Sequence, residues 1–189
     1  MKVPTALYDA NVLYPAPLRD ILVRLAMEGL VRARWTHAIH EEWTRNLLRN
    51  RPDLAEDQLL RTRELMDRAV RDSVVTGYEK HISDLTLPDP GDRHVLAAAI
   101  HSRADIILTL NTRDFPKSAL DPHRIVSRDP DAFVASLIDG QVERVCGVVR
   151  AQRSALLSPP LTVEEFLDAL RVVGMSKTVR KLEVRREEL

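Results

Sequence analysis

Apolar residues in this chain fall into short runs that alternate with longer amphipathic stretches, the arrangement that builds a parallel sheet covered by helices. Residues 3–8 form an apolar run that stops at Asp9 and predicts a buried strand entering a loop marked by Pro15 and Pro17. Leu18, Ile21, Leu22, Leu25 and Ala26 then recur at helical spacing, and Gly29 is placed to end that helix. Residues 31–35 predict a second short strand, after which Thr36 can cap a helix carrying Ile39, Trp43, Leu47 and Leu48 on one face. Pro52 is expected to open a further helix through Leu54, Leu59, Leu60, Leu65, Met66 and Ala69. The β-branched run within residues 73–78 predicts another strand, and LPDPG at 87–91 a turn. Asp92 begins the helical segment DRHVLAAAIHSRA. Residues 106–110 predict a strand broken by NTRDFP, residues 124–127 a last strand, and Asp129 with Pro130 an N-cap and first helical position.

Beyond Ile138 no strand pattern remains. Residues 141–156 predict a helix, Pro159 and Pro160 a break, and Thr162–Glu165 (TVEE) a capping box for a helix over 163–173. Gly174 is placed to end it, and Ser176 can cap a final charged helix. The chain is therefore expected to divide into an α/β domain over residues 1–138 and a helical extension over 139–189, with no internal repeat.

Composition narrows the function classes. Lys plus Arg and Asp plus Glu each total 28, so no global basic field argues for nucleic-acid binding, which would need a local basic face or a metal offsetting the acids. Cys146 is the single cysteine, which excludes an intrachain disulfide and cysteine-based zinc sites. Aromatics at 4% argue against a base-stacking platform. No apolar run is long enough for a signal peptide or a membrane span, and a cytoplasmic protein without membrane contact is the plain expectation.

The candidate chemistry lies at the predicted strand ends. Asp9, Glu42, Asp92, and the Asn111/Asp114 pair each sit at the edge of an apolar segment, and an open α/β sheet gathers ligands at the carboxyl ends of its strands. Each alone has a plain structural reading: Asp9 and Asn11 as turn or cap residues, Glu42 beside Glu41 on a solvated helix face, Asp92 as a first-turn acid favoured by the helix dipole, Thr109 and Asn111 as loop residues. Together they read differently. Carboxylates packed close together repel unless a cation joins them, and Mg²⁺ or Mn²⁺ prefers such oxygen donors. A metal-activated water can then attack phosphorus without a nucleophilic side chain.

The segments YDANVLYPAPLRD from Tyr8, EEWTRNLL from Glu41 and DRHVLAAAIHSRADIILTLNTRDF from Asp92, in this order and spacing, resemble the PIN-domain nucleases and especially the VapC-type toxin ribonucleases, over roughly residues 3–138. The resemblance implies a three-layer α/β/α sandwich around a parallel sheet and metal-dependent endonucleolytic cleavage of RNA. It also implies a cognate antitoxin as inhibitor, and a homodimer. It makes Asp9, Glu42, Asp92 and Asp114 the catalytic set, with Asp9, Asp92 and Asp114 on the metal and Asn11, Thr109 and Asn111 supporting them or contacting substrate. Many family members have aspartate where this chain has Asn111, so whether Asn111 or Asp114 takes the fourth position stays open, as does the number of metals. PPLTVEEFLDAL resembles a carboxyl-terminal helical region of a longer subset of the family.

The six histidines are dispersed, and His37 with His40 is expected in a surface or capping role. The arginines at 45, 49, 51, 61 and 63 read as solvated helix faces paired with nearby acids. A haloacid-dehalogenase-type phosphatase, which also begins strand-then-aspartate, is rejected because Asn11 stands where a second aspartate is needed. The non-enzymatic rival is a PIN scaffold that binds RNA or a protein without cutting it.

Overall fold

The computed structural model describes residues 2–189. Four strands, β1 (Thr5–Tyr8), β2 (Arg32–Arg34), β3 (Ile106–Leu108) and β4 (Val126–Arg128), form one parallel sheet in the order β2-β1-β3-β4. β1 and β3 are buried throughout, as strands covered on both faces must be, whereas β2 and β4 are partly exposed edges. Helices α1 (Ala10–Leu13), α2 (Ala16–Met27), α3 (His37–Asn50), α4 (Glu56–Ala69), α5 (Arg93–His101), α6 (Lys117–Leu120) and α7 (Pro130–Ser154) complete a three-layer α/β/α sandwich. α8 (Val163–Val172) and α9 (Ser176–Glu183) follow as a helical extension. Among the described residues no helix is long and apolar enough to cross a membrane.

Register positions the site. Tyr8 pairs with Leu108, and the backbone continues with Asp9 N–H donating to Leu108 O at 3.0 Å, so Asp9 and Thr109 leave the sheet side by side. Thr36 Oγ1 accepts from Ile39 N–H at 3.1 Å and starts α3, whose inner face buries Ile39 and Trp43 completely. Gly29 ends the α2 region at φ +67°, a conformation costly for other residues.

Several local expectations are corrected. Residues 73–78 make a single bridge, Trp35 to Val74, rather than a strand; the chain turns away at Gly77 (φ +76°) before a second rung can form. The loop expected after Asp9 is the short helix α1, with Asp9 at its N-cap. Pro52 precedes α4 by a turn; the helix starts at Glu56, where Glu56 and Asp57 suit its positive end. The helix predicted over 141–156 is the second segment of α7, joined to the first by a kink at Gln141 (φ −150°, ψ 47°).

The extension is docked by its own apolar face. Phe166, Leu167 and Leu170 of α8 and Val179 and Leu182 of α9 are buried in the core shared with the sheet domain. The TVEE capping box forms in full, with Thr162 N–H donating to Glu165 Oε2 at 2.8 Å. Ser176 does not cap α9. The buried carboxylate of Asp131 does so from α7, accepting from the N–H groups of Lys177 (2.8 Å) and Thr178 (2.7 Å).

Candidate active site

Asp9 is 4% exposed and held from three directions. Its Oδ1 accepts from Ala10 N–H at 2.7 Å; its Oδ2 accepts from Asn11 Nδ2 at 2.6 Å and from Thr109 Oγ1 at 2.7 Å. Asn11 also donates to Thr109 Oγ1 (2.9 Å), and its Oδ1 accepts from Leu110 N–H (2.9 Å). Asn111 N–H donates to the same threonine hydroxyl at 3.0 Å. The ends of β1 and β3 are thus laced by one polar network that fixes the Asp9 carboxylate. Burial pushes the Asp9 carboxyl upward, the bonds from Thr109 and Ala10 pull it down, and nearby Glu42 raises it again.

Asp92 occupies the N-cap position of α5 yet makes no side-chain capping bond, so its carboxylate is free of the structural duty its place offers. It is pushed up to about 7 by desolvation first, then by the negative charges of Asp9, Asp89, Asp114 and Glu42. Three acids from distant parts of the chain (Asp9, Glu42 and Asp114) and the neighbouring Asp89 therefore share one field with Asp92. Glu42, not the exposed Glu41, turns toward the cluster from α3. Of the pair after β3, Asp114 joins this field, while the exposed Asn111 donates its side-chain amide to Asp114 Oδ2.

The cationic counterweight is slight. None of the four acids Asp9, Asp92, Glu42 and Asp114 pairs with Lys or Arg among the described residues, and only His94 Nε2 approaches, 3.4 Å from Glu42 Oε2. His94 was not singled out by its sequence context. Its place two residues after Asp92, in the first turn of the same helix, was the available signal. Its Nδ1 is buried without a partner. Among the described residues no three His, Cys, Asp or Glu side chains close into a ready ligand shell. The donor set is nonetheless that of a hard divalent cation: mutually repelling carboxylate oxygens, buried at Asp9 and partly buried at Glu42, Asp92 and Asp114. The cluster fits such an ion chemically, with side chains that must draw together to hold it.

His40 corrects a further expectation. It is fully buried, accepting from Trp43 Nε1 at its Nδ1 (3.0 Å) and facing Asp67 Oδ1 with its Nε2 (3.0 Å). Trp35 Nε1 donates to the same Asp67 oxygen at 2.7 Å. This network anchors α3, and hence Glu42, against the sheet and α4.

Thr109→Val removes the hydroxyl that joins Asp9, Asn11 and Asn111 while keeping the side-chain shape. Loss of such a supporting bond is expected to weaken metal affinity or activity roughly 10-fold. Calorimetric Mn²⁺ titration of the variant checks this; unchanged affinity and activity would mean that Asp9 is held well enough by Ala10 and Asn11.

Comparisons with known proteins match both parts of the chain. Residues 5–113 match the family model described as PIN domain, and residues 130–184 match the VapC50 C-terminal domain. "Putative ribonuclease VapC50" of Mycobacterium tuberculosis is 42% identical over 79 residues, which is 42% of this chain and 47% of that protein. The match thus spans about half the length of this curated relative. No solved structure matches. The two family matches, in the order and positions of the sheet domain and the extension, make this chain a member of the PIN-domain family, of the VapC type with a C-terminal helical domain.

Proposed function

We propose that the protein is a divalent-metal-dependent endoribonuclease that hydrolyses RNA phosphodiester bonds, and that it is the toxin of a toxin–antitoxin pair. The observation that carries the reading is the coupled field of Asp9, Glu42, Asp92 and Asp114 at the carboxyl edge of the sheet. Supporting it are the PIN-domain match and the ribonuclease name of the mycobacterial relative. The VapC50-type C-terminal domain supports the VapC-type assignment, and a cognate antitoxin and a homodimeric state are proposed with it. On this reading residues 1–138 form the nuclease domain and 139–189 the extension.

Asp9, Asp92 and Asp114 would hold Mg²⁺ or Mn²⁺, which supplies Lewis-acid polarisation of a phosphoryl oxygen and a more acidic water. The chain's residues do the rest. Thr109, Asn11 and Ala10 orient the Asp9 carboxylate. Glu42, at the edge of the cluster with its Oε2 3.4 Å from His94 Nε2, is placed to accept a proton from an attacking water. Asn111 holds Asp114 and offers its own carbonyl to substrate.

One observation favours the second reading, a PIN scaffold that binds without cutting. The amide Asn111, where many family members have a carboxylate, reduces the charge available to a metal. A calorimetric Mn²⁺ titration separates the two. The nuclease binds Mn²⁺ and loses at least about 10-fold in affinity with Asp9→Asn or Asp92→Asn. Absence of Mn²⁺ binding by the folded wild type would favour the scaffold.

A further inference from the structure

Beside the acidic cluster lies a cavity of about 370 Å³ that the chemistry above does not use. Its size falls at the lower end of small-ligand pockets. It is lined by Asn11 and Tyr14 after β1, by Glu42, Asn46 and Arg49 of α3, and by Leu110 after β3. The α3 wall follows from spacing: positions 42, 46 and 49 are i, i+4 and i+7, one stripe along a helix. At 1.5 Å per residue, Arg49 stands roughly 10 Å along the axis from Glu42. The wall therefore begins in the acidic cluster and ends in a cation.

The lining groups are unengaged in ways that suit one kind of ligand. Arg49 is exposed and pairs with no carboxylate among the described residues. The Tyr14 hydroxyl accepts from Asn50 Nδ2 at 3.1 Å, which leaves its own proton to donate. Asn46 is half-buried and brings an amide that can donate and accept at once, as the edge of a nucleobase does. Leu110 is 46% exposed, an apolar shelf directly after the strand that carries Thr109. An amide, a phenol, an apolar shelf and a guanidinium at the far end match a base with an adjoining phosphate. They do not match a bare metal ion, which has no use for an apolar shelf or a guanidinium.

We infer that this cavity is a nucleotide subsite, seating the base of a single-stranded RNA residue that flanks the cleaved bond. Asn46 reads the base edge and Arg49 holds the neighbouring phosphate. The inference rests on the acidic cluster being the place of cleavage. Recognition of single-stranded RNA through splayed bases and their edges requires such a pocket, and the low aromatic content leaves base-edge contacts rather than stacking to supply it.

The test uses the full chain and a random-sequence single-stranded RNA pool, sequenced twice: the fragments cut in Mn²⁺, and the molecules retained on the protein in chelator. Wild type is expected to favour one base at one position, next to the cut in the first set. Asn46→Ala should erase that preference with kcat within about 3-fold of wild type, as for a residue that reads but does not react. Arg49→Ala, a change on an exposed helix surface that leaves folding intact, should raise KM about 5- to 10-fold and flatten the salt dependence of binding. Identical preferences in wild type and Asn46→Ala, with KM unchanged in Arg49→Ala, would overturn the inference. Failure of the nuclease reading shows up separately: retention in chelator with an Asn46-dependent base preference, but no cutting, keeps the subsite and removes the nuclease. A pool neither cut nor retained would overturn the subsite.

Discussion

Asp92→Asn is expected to abolish RNA cleavage and at the same time to make the metal-free protein more stable at pH 7.5. Activity should fall at least about 100-fold, above the range seen when only a supporting bond to a metal ligand is lost, because one of the proposed ligands is itself neutralised. Asp9→Asn should cost as much. Stability moves the other way because the wild-type carboxylate is held in a negative field. Its pKa is raised from 3.8 to about 7, by burial first and by Asp9, Asp89, Asp114 and Glu42 after it. A carboxyl whose folded pKa exceeds its unfolded value binds protons more readily when folded. Its stabilising share is therefore complete below about pH 4 and is lost as pH rises through about 7. Metal-free wild type should thus lose stability across this window, and Asp92→Asn should lose less, since the raised Asp9 carboxyl remains. The residue is partly exposed, so solvent screening trims the effect. A gain of roughly 2–4 °C in Tm at pH 7.5, the shift that accompanies about 1 kcal/mol in a chain of this size, is the expected scale. Thermal melts of both proteins from pH 4 to 8 in chelator provide the check; parallel curves would mean that Asp92 does not feel the cluster.

The second large effect concerns the extension. Asp131→Ala should lower stability by about 3 kcal/mol, since bonds from N–H groups to a carboxylate contribute about 1.5–3 kcal/mol and the Thr178 donor would be left buried, that of Lys177 partly so. In a chain of this length that corresponds to a fall of roughly 6–12 °C in Tm. Asp131→Asn, which keeps one acceptor oxygen, should lose about half as much. α9 packs on α7, so the variant should also be cleaved faster by protease around residues 155–161, between α7 and α8. A melting temperature within 1–2 °C of wild type would show that apolar burial alone docks these helices.

What the chain reveals before folding follows the range of the interactions involved. The strands ending at Tyr8 and Leu108 are legible because strands buried on both faces are apolar throughout, and the residues just beyond them become visible as the first polar positions. Thr36 and the TVEE segment are legible because their bonds span three residues. His94 and Asp131 are not. Each acts on a partner dozens of positions away, Glu42 in one case and the start of α9 in the other, and no local pattern encodes that meeting. His40 misled for the same reason: on its own helix it resembles a surface residue, and only Asp67 of α4 and the two tryptophans make its burial tolerable. Residues 73–78 had strand propensity but no continuous neighbour to pair with.

The Asn111/Asp114 ambiguity is now physical rather than a matter of alignment. Asp114 adds its charge to Asp92, and Asn111 adds a bond to Asp114. The two then act as one unit, in which the amide orients the acid.

The most direct measurement of the central claim is cleavage of a mixed RNA pool by the full chain, with Mn²⁺ and again with excess chelator, alongside Asp9→Asn. Cleavage by wild type that stops in chelator, returns when Mn²⁺ is restored and is missing from the folded variant is the predicted result. Cleavage that persists in chelator, or equally in Asp9→Asn, would contradict the assignment of the acidic cluster as the reacting centre.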